Sequence, residues 1–562
     1  MKRRFRLVLA TLLVTGITVS CSNETEIADQ VAIGEPNNIT ITTEDFGADQ
    51  NITRTTETRK TETIDLGEGL AAEVSVEPDR SQGQTRSTAI SNGHYTIYAL
   101  DNLGNRITGT HKLLKGTVSG GTFIKDAGSQ LTLAPGTYTF VCFNDAVTDN
   151  GTQLSVSKAN FGKALIGSVQ TAISGRDYNI SFTMKHVVGR VRVKLTAYVP
   201  IKATTTATIS QKAGTAAEQL LFNIDGTLDH AHLGTLAADA LSFPATSKER
   251  PNRKDFSVAS ISNEYQYYHD GQTAANLKIN LTGGTLYRRA LTGIASLPTT
   301  FQVARNGSYT VNIKLLPKYK YLFQDGTTGY LADKGTRTPI ALVIKDNNGT
   351  PGSGLAIALN KANHGNVVKW YYQYSGSGSQ QNNPSTVTYE RDGITDMNGY
   401  NYTWNPAYST DGKVRANEQT LYPAFYYAAH YGDELTAQGI NITGANIGKW
   451  YLGSIGEWYT MINTITFCEE FDNNPFSYDG QRFMQHYAHT LWDIAFSRAG
   501  GSLTSDSFWT ALECKSEPDY LGRIFYDYAW FMDIDDYYTY AYAFSKGSDT
   551  YSSKYSQAFV SF

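Results

Sequence analysis

The sequence predicts a mainly β protein, two tandem antiparallel β-sandwiches followed by an α+β domain of different composition. Three observations carry this. Residues 64–318 are short apolar runs of period two, broken by Gly, Asn and Asp, the pattern of half-buried strands joined by tight turns. No strongly periodic helix interrupts them, and 50 glycines against 15 prolines in 562 residues suit a turn-rich β chain. All seven tryptophans (Trp370, Trp404, Trp450, Trp458, Trp492, Trp509, Trp530) and 26 of the 37 tyrosines follow Tyr319. That last region therefore builds a core of its own.

Lys2, Arg3, Arg4 and Arg6 precede an apolar run from Leu7 to Val19, too short to span a membrane and the right length for a signal-peptide core, read over residues 1–20. Thr18-Val19-Ser20-Cys21 then resembles a bacterial lipobox, with threonine where leucine is commoner. The resemblance implies cleavage before Cys21, lipidation of its thiol, and anchoring in a membrane, where each buried methylene contributes about 0.8 kcal/mol. Glu24 and Glu26 resemble the acidic tag of lipoproteins exposed on the cell outer membrane. From Cys21 to residue 63 the composition is Thr, Asn, Glu, Gln and Asp with isolated Ile and Val, which cannot offset the entropy of ordering. This stretch reads as a flexible stalk.

The first sandwich is expected over 64–198. "YTIYAL" runs into the turn Asp101-Asn102-Leu103-Gly104, and Pro135-Gly136 precedes the strand "TYTFVCF". In "VRVKLTAYV" Val191, Val193 and Leu195 share one face and Arg190, Arg192 and Lys194 the other, as in a sheet wet on one side. The second sandwich, 199–318, closes on "RNGSYTVNIKLLP", where Asn306-Gly307 turns the chain and Tyr309, Val311, Ile313 and Leu315 alternate inward.

The lipobox, the polar stalk, "LAPGTYTFVCFND", "ISFTMKHVVGRVRVKL" and "NGSYTVNIKLLP", in that order over residues 22–318, resemble the fimbrillin-like proteins of Bacteroidales. The resemblance implies transthyretin-like sandwiches and a place among fimbrial (pilus) shaft, anchor or tip subunits. In polymerising members a protease cuts after an arginine and a strand from the next subunit fills the vacated groove, a form of β-strand addition. Arg80 and Arg86, in the polar "EPDRSQGQTRSTA", match that position approximately; otherwise they are surface arginines. Continuation of the chain past residue 318 argues against a shaft role.

Residues 319–562 contain two helical patterns. "TLYPAFYYAAHYG" places Tyr422, Phe425, Tyr426 and Ala429 at helical spacing up to Gly432. "SIGEWYTMINTI" sets Ser454 as N-cap with Glu457 three residues on, a capping box that gives the glutamate a structural role. Trp450, Leu452, Ser454, Glu457 and Trp458, then Trp509 and Glu513 in "FWTALE", then Trp530 in "AWFMD", resemble the ordered signature of a bacterial exported domain related to formylglycine-generating and C-type-lectin-like folds. Gly453 stands where that signature has proline. The resemblance marks these residues as structural rather than contact-making.

Chemistry is sparse. A net charge of −4 and the absence of a basic stripe with interleaved aromatics argue against nucleic acid. Cys142, Cys468 and Cys514 lack metal or dithiol spacing; Cys468 and Cys514 could pair or remain buried thiols. No G-x-S-x-G or H-E-x-x-H stretch occurs, and Asp527, Asp533, Asp535 and Asp536 read as solvated loop carboxylates. Glu517-Pro518-Asp519 resembles the calcium and sugar triplet of C-type lectins, but the partner motif is missing. No catalytic residue, metal or cofactor is assigned. Exposed tyrosines offer a ligand surface instead: Tyr371, Tyr372 and Tyr374 in one loop, Tyr537, Tyr538 and Tyr540 in another. The expectation is a non-catalytic surface adhesin binding a glycan or protein, with other fimbrial subunits as further partners. A free-standing lipoprotein with a structural C-terminal cap, and less readily an enzyme, are the alternatives.

Overall fold

The computed structural model describes residues 30–35, 37–47, 62–67, 69–79, 89–90, 92–211, 219–233, 238–246, 257–273, 277–298, 301–372, 380–467, 482–483, 488–502, 506–534, 539–547 and 552–562. The fold is mainly β with curled sheets and a C-terminal α+β region. Cys21, Arg80, Arg86, Tyr374, Tyr537, Tyr538 and Cys468 lie outside the described residues. Two compact units interleave in sequence: 1–48, 82–188 and 218–233 form one, 49–81, 189–217 and 234–562 the other.

The first unit holds a ten-stranded sheet and a three-stranded sheet of Thr148–Asp149, Leu154–Ser157 and Gln219–Phe222; the larger sheet forms its core. Its path runs from Val31–Ile33 through Gln130–Leu133, Lys112–Ser119, Gly93–Leu100, Gly136–Asn144, Leu165–Ile173 and Ile180–His186 to Ile39–Thr43 and Ala89–Ile90. Part of the expected stalk is therefore folded. Val31, Ile33, Ile39 and Ile41 sit in the same core as Ile97, Leu114, Phe140 and Phe182. Burying each aliphatic side chain contributes roughly 1.5–3 kcal/mol, which the average polarity of the stretch concealed. Val31–Ile33 pairs with one end of the sheet and Ile39–Thr43 lies parallel to the other, so one short segment serves both edges.

In the second unit, Ser308–Pro317 lies parallel to Gly189–Ala197 and antiparallel to Leu70–Pro78, from Tyr309 opposite Pro78 to Pro317 opposite Leu70. Both Leu70–Pro78 and the "VRVKL" strand therefore share the sheet of Ser308–Pro317, across the boundary expected at 198/199. Thr206–Gln211, Leu277–Gly283, Asp239–Ser242 and Gly293–Ser296 form a further sheet of this unit.

The α+β region holds a six-stranded sheet, with Ala558–Ser561 paired between Leu355–Ala358 and Tyr451–Leu452, and a five-stranded sheet centred on Tyr528–Ile534. It is joined to the second sandwich by aromatic contacts. The Phe467 ring lies 5.4 Å from Tyr287 and 5.9 Å from Tyr319, and the Tyr319 hydroxyl donates to Ile465 O at 2.8 Å. The first helical pattern forms two helices, Pro423–Ala429 and Tyr431–Ala437, so helix continues past Gly432 after a break at His430. No described helix is long and apolar enough to cross a membrane.

Candidate functional site

The motif "WYLGSIGEW" organises the α+β region from within. Helix Ile455–Thr466 starts at a capping box in which the Ser454 N–H donates to the Glu457 carboxyl at 2.7 Å. The Ser454 hydroxyl donates to Asp396, which also accepts from the Tyr402 hydroxyl at 2.8 Å. Trp458 is fully buried between Phe508 and Phe559, at 5.3 and 5.5 Å. Both glycines of the motif are dictated by space: a Cβ on Gly453 would meet the Phe559 ring at 2.5 Å, and one on Gly456 would meet Asp396 O at 2.4 Å. Burial, with the Asp396 carboxylate nearby, pushes the Glu457 carboxyl up to about 8.

A second buried polar cluster fixes the loops. Lys546 donates to Glu513 and to Asn382 Oδ1, each at 2.6 Å, and to Gln380 O at 2.8 Å. Glu513 also accepts from the backbone N–H of Asn382 and Asn383, the latter at 2.6 Å. Desolvation raises the Glu513 pKa and lowers that of Lys546, while their contact and the two N–H donors favour the ionic form. Arg415 is wholly buried, its guanidinium 5.5, 5.0 and 4.9 Å from the rings of Trp370, Tyr422 and Phe425. It donates to Asn382 O at 2.6 Å.

Side chains able to meet a ligand lie on the five-stranded sheet. On strand Thr539–Ser545, residues Tyr540, Tyr542 and Phe544 alternate onto one face and are each half-buried. The rings of Tyr540 and Tyr542 stack at 5.2 Å and 13°. Phe531, directly opposite Tyr542, lies 6.0 Å from it and 6.3 Å from Phe544. Asp533, opposite Tyr540, accepts from the Ser507 hydroxyl at 2.6 Å. Lys554 Nζ stands 4.7 Å from the ring centres of both Phe531 and Phe544. A row of rings with a carboxylate at one end and an ammonium at the other can stack on sugar rings or receive a protein side chain.

Of the expected ligand tyrosines, Tyr540 belongs to this face and Tyr372 is 44% exposed, its ring under the Lys369 ammonium at 5.0 Å. Tyr371 corrects the expectation: it is buried, 5.0 Å from Tyr422, because the main chain at 370–371 is drawn in by hydrogen bonds to Lys546 O. Trp450, Leu452, Trp509 and Trp530 are buried as well. Tyr542, Phe544, Phe531, Asp533 and Lys554 went unassigned as contact residues, although the period-two pattern of "TYAYAF" was a readable signal for the first two. In the lectin-like triplet, Glu517 accepts from the Tyr389 hydroxyl and Asp519 from the N–H groups of Leu521 and Arg523. Both carboxylates thus fasten a hairpin. Cys142 and Cys514 are buried free thiols. Among the described residues no group of three or more His, Cys, Asp or Glu side chains could hold a metal.

No family model matches the chain, and no curated protein does. Among solved structures, a candidate cell adhesion protein of Bacteroides ovatus is similar at 10% identity and TM-score 0.29, over 50% of this chain and 92% of that one. A fimbrial protein of the same species is similar at 11% and 0.25, over 94% of this chain and 100% of that one. A fimbrial assembly protein of Parabacteroides distasonis is similar at 9% and 0.25, over 54% and 100%. At such scores these similarities carry no inference about how this chain acts.

Proposed function

We propose that the chain is a non-catalytic surface adhesin, lipid-anchored through Cys21, whose contact surface is the aromatic face of Tyr540, Tyr542, Phe544 and Phe531. The carrying observation is that ring row, in which the half-buried Tyr540, Tyr542 and Phe544 lie over the buried Phe531, flanked by Asp533 and Lys554. The ligand is a glycan or a protein side-chain patch. Because the α+β region packs on the second sandwich through Tyr319 and Phe467, the test uses the whole mature chain, presented to glycan and extracellular-matrix protein arrays. Saturable binding is expected, unchanged by EDTA and reduced about tenfold or more in Tyr540→Ala with Tyr542→Ala. Binding that persists in the double variant would assign the contact elsewhere. No binding by a folded chain across both panels favours a structural cap.

A fimbrial role by strand addition has its own support. The segment Val31–Thr43 provides backbone partners to both ends of one sheet, so its removal would open two edges that another subunit's strand could fill. A cut at Arg80 or Arg86 would place that segment, Glu62–Gly67 and Leu70–Pro78 on one fragment, so a departing fragment takes two strands from each unit. Ala558–Ser561 is paired on both sides and is not a free donor, which favours a tip or accessory position over a shaft. Arg80→Ala with Arg86→Ala is expected to leave monomers where the parent forms SDS-stable ladders; ladders in the variant dismiss these arginines.

A further inference from the structure

The aromatic face carries a cation whose place is fixed by backbone and rings rather than by an acid. Lys554 exchanges main-chain hydrogen bonds with Val368 at 2.8 and 3.0 Å, and its neighbour Tyr555 donates to Ser507 O and accepts from the Trp509 N–H, both at 2.9 Å. The segment is tied down on both sides. Its ammonium stands 4.7 Å from the ring centres of both Phe531 and Phe544, which attract it without neutralising it.

Two other lysines of the region show the ordinary arrangement. Lys361 lies 3.9 Å from the Tyr555 ring centre and also meets Asp506, while Lys546 lies 5.5 Å from that of Trp370 and also meets Glu513. Among the described residues no carboxylate or carbonyl accepts from the Lys554 ammonium. Lys554 is half-buried, so its ammonium has given up part of its hydration and holds an incoming anion more firmly than a fully solvated lysine does.

The acid of this face lies at the other end. Asp533 is opposite Tyr540, whereas Phe531, one of the two rings under Lys554, is opposite Tyr542. From Tyr540 to Phe544 the row measures about 14 Å at the usual strand rise, the length of a di- or trisaccharide. One end attracts an anion and the other repels it.

We infer that this face takes an acidic glycan in one direction, a single carboxylate-bearing sugar at Lys554 and neutral sugars running toward Tyr540 and Asp533. The inference rests on the aromatic face being the contact surface, and adds what that surface selects. A sialic or uronic acid holds its carboxylate on the same rigid ring whose C–H face packs on aromatic carbon, so one sugar meets Phe544 and the ammonium together. A peptide must bring those two groups on separate flexible side chains, and loses more entropy in doing so. Asp533 disfavours a second acid farther along the ligand.

The test titrates sialyllactose, its carboxyl methyl ester and lactose into the full chain. The ester keeps every sugar ring and removes the charge, so this comparison needs no variant. The acid is expected to bind about tenfold or more tighter than the ester, by a margin that shrinks as salt rises. Lys554→Met, which keeps an apolar chain over the two rings, should erase the margin, and Lys554→Arg should keep most of it. Tyr540→Ala with Tyr542→Ala should weaken acid and ester alike. Oligogalacturonate, with an acid on each sugar, should bind Asp533→Asn more tightly than the parent. Equal binding of acid and ester, both lost in the tyrosine variant, overturns the inference and leaves the aromatic face as the contact surface. Acid binding that survives the tyrosine variant overturns both. No binding of the acid by the folded parent overturns the inference, and so does an acidic peptide that binds as tightly as the sugar, since it would assign the face to a protein ligand.

Discussion

Replacing Lys546 with Met is expected to destabilise the second unit by about 3–5 kcal/mol, the usual consequence of leaving a buried charge without its partner. Lys546 and Glu513 are 1% and 0% exposed. The ammonium is the cation in contact with that carboxylate, and it also holds Asn382 Oδ1 and Gln380 O. Without it, Glu513 must either keep a buried charge on two backbone N–H donors or take up a proton. The double variant Lys546→Met with Glu513→Gln should recover a large part of the loss, because neutralising both partners removes the uncompensated charge. Denaturant unfolding followed by tryptophan fluorescence reads this selectively, since every tryptophan lies after residue 319. A loss below 1 kcal/mol in the single variant, or no recovery in the double, would show that the pair does not hold the 380–383 loop.

The same pair illustrates what the sequence makes legible. Ser454 and Glu457 could be read because a capping box is local: its partners are three residues apart and its geometry belongs to one helix turn. Glu513 could be marked only through a resemblance, and Lys546 not at all, because their contact joins separate strands and nothing in a local window announces a buried lysine. The sheet that Leu70–Pro78 joins was not legible, since its partner lies at 309–317 and register follows from tertiary pairing. Val31–Ile33 and Ile39–Thr43 were missed for another reason. Two residues of each strand point inward, and averaged over a polar stretch that alternation reads as noise. Gly453 stands where the resembled signature has proline, and its reason is invisible locally: the Phe559 ring occupies the place of its missing Cβ, a contact fixed by a residue more than a hundred positions away.

Stability of the second unit should fall as pH rises from about 4.5 to about 8, with Glu457 a principal cause. Its carboxyl is buried, accepts from the Ser454 N–H and faces Asp396, and its pKa is raised from 4.5 to about 8. Below pH 4.5 both folded and unfolded chains hold the proton and no penalty arises. Between the two values the unfolded chain releases it and the folded chain keeps it, so each unit of pH costs about 1.4 kcal/mol, on the order of 3 kcal/mol by pH 7. Above about pH 8 both states are ionised and the loss levels off. Glu513, also raised, adds a slope of the same sign, so the informative quantity is the difference between the parent and Glu457→Gln. Glutamine keeps a carbonyl for the Ser454 N–H and carries no charge. The variant should match the parent near pH 5 and exceed it by a few kcal/mol near pH 8, measured by urea unfolding with tryptophan fluorescence. Parallel curves for the two proteins across that range would mean that Glu457 does not retain its proton in the folded chain, and that the capping carboxylate is ionised within the core.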